Sequence, residues 1–166
     1  MNIYLQRVQD AITEVTRGMD ASQMAHHPEG KWSAAEILEH LDRTYKTTVP
    51  HLQKCLDAGH PTAGRATIAQ RIAVGVVIGL GYMPGGRKAP EHAVPKGLPP
   101  HEILRNLPIH IADMDRVLAE CECRFGADCK LANHFVLGPL TARQWRKFHW
   151  VHTRHHMKQI SLLRGR

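Results

Sequence analysis

Apolar residues recur at helical spacing in four long stretches of the chain, with polar residues filling the positions between them. Ile3, Leu5, Val8, Ile12 and Val15 predict a first helix over Asn2–Arg17. Gly18, and then the polar stretch Gln23–Gly30 with Pro28, end it. Ser33 followed by Glu36 forms a capping box, in which each side chain takes up a free backbone amide of the other residue. A second helix therefore runs from Ala34 to about Ala58 and stops before Gly59 and Pro61. Its apolar stripe is Ile37, Leu41, Tyr45, Val49 and Leu52, and Pro50 is expected to kink it or divide it in two. The third helix, His101–Cys123, carries Ile103, Leu104, Leu107, Ile111, Met114, Val117 and Leu118 at the same period, with a kink expected at Pro108. Thr141 and Gln144 repeat the capping-box pattern and open a fourth helix, Thr141–Leu163.

The segment between the second and third helices differs in character. After a short apolar helix over Ile68–Leu80 it becomes rich in glycine and proline from Met83 to Pro100. Two readings stand for it: a lid across a pocket mouth, with Arg87 and Lys88 offering charge to an anionic ligand, or a plain crossover with two solvated cations. Phe125–Pro139 reads as a loop. There is no strand-like alternation, internal repeat or domain boundary. The pattern thus predicts an all-α four-helix bundle with a long crossover between helices two and three, as a single domain over residues 1–166.

Composition narrows the partners. The chain is 43% hydrophobic and 22% charged, which excludes a disordered polymer. Its longest apolar run, Ile72–Met83, falls well short of the ~20 residues of a membrane span. A net charge of +7 raises nucleic-acid binding, but the basic residues are scattered and aromatic residues are only 5%, too few for a stacking platform. Cys55, Cys121, Cys123 and Cys129 follow no signal-peptide pattern and lack zinc-finger spacing, so a reduced, cytoplasmic setting is expected.

The candidate chemistry lies in histidine. Of 13 in the chain, His149, His152, His155 and His156 cluster in the fourth helix. His152 and His156 stand one turn apart, so both imidazoles can reach one ion. The residues within about 60° of His152 around the helix are Trp145, Phe148, His149, His155, His156, Gln159 and Leu163, none with a fixed charge. Arg143, Arg146, Lys147, Arg154 and Lys158 fall on the opposite side, which is assigned to water. In the second helix His40 sits at the edge of the apolar stripe beside Glu36, Thr44, Thr47 and His51, a position that suits a pocket wall. His40, His152 and His156 are therefore the candidate metal ligands, with His149 as an alternative and His155 as a neighbouring packing or supporting group. Three neutral imidazoles leave a tetrahedral ion one open place for water or substrate. Zinc is the first expectation, with nickel or iron able to use the same donors. Gln159 reads as a hydrogen-bonding or a catalytic group, and no acid–base residue is assigned.

Two stretches resemble the DinB-like superfamily of metal-binding four-helix bundles. Lys31-Trp32-Ser33-Ala34-Ala35-Glu36-Ile37-Leu38-Glu39-His40-Leu41 is similar to the family's tryptophan–serine helix start, and His152-Thr153-Arg154-His155-His156-Met157-Lys158-Gln159-Ile160 to its closing histidine-rich helix. The resemblance implies zinc or nickel on His40, His152 and His156, often in a homodimer. It also implies activities such as thiol S-transfer, including mycothiol-dependent maleylpyruvate isomerisation. Lys158 stands where the family often has glycine, and the Met83–Pro100 segment is long, so the substrate pocket is expected to differ.

The resulting expectation is a metal-dependent enzyme of the thiol S-transferase or hydrolase type, acting on a small molecule with a low-molecular-weight thiol as a co-substrate. The alternatives are a non-catalytic metal-binding module for sensing or sequestration and, ranked below it, a nucleic-acid binder related to DNA damage.

Overall fold

The computed structural model describes residues 1–27, 29–86 and 88–164. Pro28, given a helix-breaking role above, and Arg87, given the role of a lid cation, lie outside the described residues. The described chain is predominantly helical. Four long helices carry the core: α1 (Ile3–Thr16), α3 (Ala34–Ala58), α5 (Pro100–Phe125) and α6 (Ala142–Arg164). Two short ones, α2 (Ala21–Ala25) and α4 (Ile68–Val74), lie in the connections.

Local signals explain the helix starts. Asn2 Oδ1 accepts from the Tyr4 amide ahead of α1. Both bonds of the Ser33–Glu36 box form at α3 and both bonds of the Thr141–Gln144 box at α6. Gly59, in the left-handed region at φ +73°, closes α3, a conformation that costs glycine nothing. Neither proline divides its helix. Pro50 and Pro108 lie on exposed faces of continuous helices, where water can take the carbonyls that each ring leaves unpaired.

The apolar stripes meet in one contiguous core. α3 packs chiefly along α5 and α1 along α6, while α6 also touches α3 and α5. Leu5, Val8, Leu38, Leu41, Tyr45, Leu52, Leu107, Met114 and Leu118 are fully enclosed there. Ile3, counted above in the first stripe, is instead 58% exposed at the start of α1. No helix among the described residues is long and apolar enough to cross a membrane.

Three features depart from the sequence reading. α2 arises from an Asp20–Gln23 capping box within what reads as a break. The presumed loop before α6 holds a hairpin in which β1 (Ala132–His134) pairs antiparallel with β2 (Gly138–Leu140). Gly138 is there of necessity: its φ is +69°, and a Cβ on it would lie 2.6 Å from the Gln70 carboxamide. Finally, Arg146 is not in water. It is only 4% exposed and reaches Asp115 (3.3 Å) and Glu122 (2.8 Å) on α5. The Arg146→Ala variant removes the guanidinium that Asp115 and Glu122 share, leaves Asp115 the Asn2 amide and the N-terminal ammonium, and is expected to lose about 2 kcal/mol of stability, read from its urea midpoint.

Residues of Ala69–Gly86 and Lys88–Val94 form one wall over the face shared by α3 and α6. α4 runs into a π-helical turn, Gly75–Gly79, whose Val77 and Ile78 reach the core. The wider turns let five residues bridge from an exposed helix to a buried contact with α6. A 3-10 turn, Glu91–Ala93, then packs against α3.

Candidate metal centre

α3 delivers His40 and α6 delivers His152 and His156 to one point. The Nε2 atom of His152 lies 3.2 Å from that of His40 and 3.0 Å from that of His156. One nitrogen from each of the three rings lies within 4.8 Å of the others. The rings meet edge-on, at 79° for His40 and His152 and 76° for His152 and His156, so that nitrogens rather than ring faces point inward.

The outer nitrogens decide what faces inward. His40 Nδ1 donates to the Ala93 carbonyl at 2.8 Å. A carbonyl only accepts, so His40 carries its proton on Nδ1 and presents a lone pair at Nε2. His156 Nδ1 donates to Gln159 Oε1 at 2.7 Å, an amide orientation assigned from Gln159 Nε2 donating to His155 Nε2 at 3.2 Å. His156 therefore also presents a lone pair at Nε2. Three nitrogens converge with at most one proton among them, which is a donor set for a cation. Backbone and carboxamide partners on the outer nitrogens are the supports that metal-binding imidazoles ordinarily have.

The triad opens on a cleft of about 1440 Å³ between α3, α6, the wall formed by Ala69–Gly86 and Lys88–Val94, and the β hairpin. Trp32 tilts over His40 with 5.2 Å between ring centroids, and Phe148 stacks on His152 at 5.4 Å.

Comparison with known families adds one finding. The family described as "Protein of unknown function (DUF1569)" matches residues 1–162. The chain belongs to that family. No curated protein and no solved structure matches it. The DUF1569 match extends from before α1 to near the end of α6, so it spans all three imidazoles and both walls of the cleft.

Electrostatics in this DUF1569 chain keep the rings in their lone-pair form. Burial, reinforced by repulsion from His156 and His40, holds His152 well below the ordinary imidazole range. Burial brings His156 down to about 4 against the opposing Gln159 contact. It lowers His40 too, against the opposing Ala93 carbonyl. All three are neutral at pH 7, the form a cation requires.

Other sequence candidates take different places. His149 is buried away from the converging nitrogens, stacked on Tyr45 with 4.4 Å between centroids. His155 is half-buried, lies edge-on to the His156 ring with 5.2 Å between centroids, and is hydrogen-bonded to the triad through Gln159, which is exposed. All four cysteines are free, and none belongs to a metal-binding group among the described residues. Met83 and Lys88 line the cleft, whereas Lys96–Leu98 do not and are held by their amides to the Glu39 carboxylate.

Three participants carry no signal in the sequence reading. The Ala93 carbonyl is a backbone group 53 residues from His40. Glu39 is fully buried beside the capping acid, where side-chain type alone suggests a solvated helix residue. His134 sits in the hairpin and lines the cleft. Its Nδ1 accepts from the amides of Val136 (3.1 Å) and Leu137 (3.2 Å), so its proton must be on Nε2.

Burial lowers the His134 pKa to about 4. Above the unfolded value of about 6.5 the ring is neutral in both states and costs nothing. As pH falls from there toward 4, the unfolded chain takes up a proton that the folded chain refuses. Stability is therefore lost on acidification across that window, by on the order of 2–3 kcal/mol for this ring. Urea unfolding at pH 7.5 and pH 5 should show a larger loss for the wild type than for His134→Asn.

Proposed function

We propose that His40, His152 and His156 hold a divalent ion, zinc or nickel, and that the chain is a metal-dependent enzyme of the thiol S-transferase or hydrolase type. The observation that carries this reading is the convergence of Nε2 atoms from two helices, with two lone pairs directed inward by fixed partners on the outer nitrogens. The order of the four long helices, with the long connection between the second and third, supports reading the fold as a DinB-like four-helix bundle with a crossover. A homodimer in the cytoplasm is the assembly and setting that go with it.

A bound divalent ion supplies positive charge that acidifies a water or thiol brought against it, yielding a nucleophile near neutral pH. The chain's residues do the rest. The Ala93 carbonyl and Gln159 hold two imidazoles in the ligating tautomer and orientation. Trp32 and Phe148 pack against the rings of His40 and His152, limiting their rotation and the access of bulk water. The cleft favours turnover over storage. A sequestering site needs no cavity beside it, whereas about 1440 Å³ exceeds the ~300–1,000 Å³ of an ordinary ligand pocket and has room for two small molecules side by side.

The test is metal analysis of the purified protein joined to a panel of thiols and electrophiles. Stoichiometric metal with thiol consumption that disappears in His152→Ala supports the enzyme. Metal without turnover on any electrophile or ester returns the site to a binding module.

A further inference from the structure

The cleft has a charge pattern that the metal reading does not use. Among the described residues its only lining groups with fixed charge are Lys31 and Lys88; no aspartate or glutamate lines it. Ile72, Val76, Val77, Leu162 and Leu163 form an apolar flank running away from the triad. On the α3 side, Thr44, Thr47 and Thr48 turn their hydroxyl protons back onto carbonyls of their own helix. These threonines therefore offer the cleft methyl groups and no free donor.

Trp145 keeps an indole N–H without a partner but buried, whereas His134 offers a donor of fixed tautomer. Two backbone amides occupy its Nδ1, so the proton is fixed on Nε2, and that N–H has no acceptor among the described residues. The ring lies against Phe148, with centroids 4.3 Å apart, and Phe148 in turn stacks on His152. A donor of fixed tautomer thus stands one aromatic ring from the triad.

We infer that the substrate of this cleft is a largely apolar molecule bearing a carboxylate, and that the His134 Nε2–H is the positioning donor that receives a carboxylate oxygen. The apolar flank takes the hydrocarbon part. The lysines and the lack of acidic residues admit a negative charge and penalise a positive one, the repulsive half of specificity. The inference rests on the cleft being the reaction site of the proposed enzyme, but the binding it describes does not need the ion.

Decanoate, decanol and decyltrimethylammonium, titrated into the full chain, separate the contributions. Trp32 and Trp145 line the cleft and report occupancy by fluorescence. Decanoate is expected to bind at least about tenfold more tightly than decanol, the worth of one hydrogen bond to a charged group, and decyltrimethylammonium more weakly than either. The discriminating variant is His134→Asn, whose Oδ1 takes the place of Nδ1 as acceptor for both amides while the Nε2–H is removed. It should fold as the wild type does and bind decanoate within about twofold of decanol.

Equal binding of all three probes, preference for the cation, no binding of decanoate, or an unchanged decanoate preference in His134→Asn would each overturn the inference. Running every titration with chelator and again with zinc keeps the two readings apart. Decanoate selectivity without zinc uptake sinks the metal centre alone, whereas zinc uptake without decanoate selectivity sinks this inference alone.

Discussion

His152→Ala is expected to weaken cobalt(II) or zinc binding by at least about 100-fold, since merely removing a group that orients a ligand costs about 10–100-fold. The position of His152 explains why this substitution should be the most severe in the centre. Its Nε2 is within 3.2 Å of one partner nitrogen and 3.0 Å of the other, so it bridges a pair that comes from different helices. Without it, His40 and His156 remain as two donors, too few to hold an ion against water. The fold should survive, because His152 Nδ1 has no hydrogen-bond partner, and the two nitrogens that lose His152, Nε2 of His40 and of His156, line a cleft that water can enter. Loss of metal is then separable from loss of structure. At free metal about 100 times the dissociation constant, the wild type should gain about 2.7 kcal/mol from the ion, and the variant no more than about 0.4 kcal/mol. Visible absorption of cobalt(II) gives the affinity and thermal unfolding gives the linked stability. His149→Ala is the control, since its ring nitrogens do not join the group. A wild type that takes up no cobalt, or a His152→Ala variant that binds it equally well, would remove the basis for the metal centre.

What could be read beforehand and what could not divides along the range of the interaction. The Ser33–Glu36 and Thr141–Gln144 boxes are local, three residues long, and form as their spacing demands. The shared face of His152 and His156 follows from helical periodicity in the same way. Periodicity also places Arg146 on the far side from the histidines, but it cannot say what faces that side. Asp115 and Glu122 of α5 do, and they turn an expected solvent residue into a buried ion-pair centre. The hairpin escaped because each strand is three residues long, shorter than any alternation that can be recognised, and its pairing depends on a tertiary seat for Gly138. Glu39 and Ala93 act through backbone groups across more than fifty residues, where side-chain type carries no information. The three converging imidazoles were therefore legible, and the apparatus that aims them was not.

Glu39→Ala is expected to destabilise the protein by about 4 kcal/mol, the largest loss of stability of any substitution considered, and to weaken metal binding as well. The Glu39 carboxylate has no exposure and accepts from three consecutive amides, Lys96 at 2.7 Å, Gly97 at 2.9 Å and Leu98 at 3.0 Å. Removing it leaves three backbone donors without a partner where the chain turns into α5, each costing about 1–3 kcal/mol to the extent that water cannot replace the carboxylate. For a chain of this size, that loss corresponds to a fall of roughly 8–16 °C in the unfolding midpoint. Glu39→Gln should fall between the two, because one amide oxygen can serve some of these donors while its NH2 opposes another. The second effect travels along the same strap. Lys96–Leu98 begin two residues, Val94 and Pro95, after the Glu91–Ala93 turn, whose Ala93 carbonyl fixes the tautomer and orientation of His40. Loosening the strap frees that carbonyl, and the affinity for cobalt(II) should drop by about tenfold, as expected for a group that orients a ligand. The destabilised variant must be measured well below its melting point, where it remains folded. There, a cobalt affinity equal to that of the wild type would show that His40 holds its direction without the strap, leaving Glu39 a role in the fold alone.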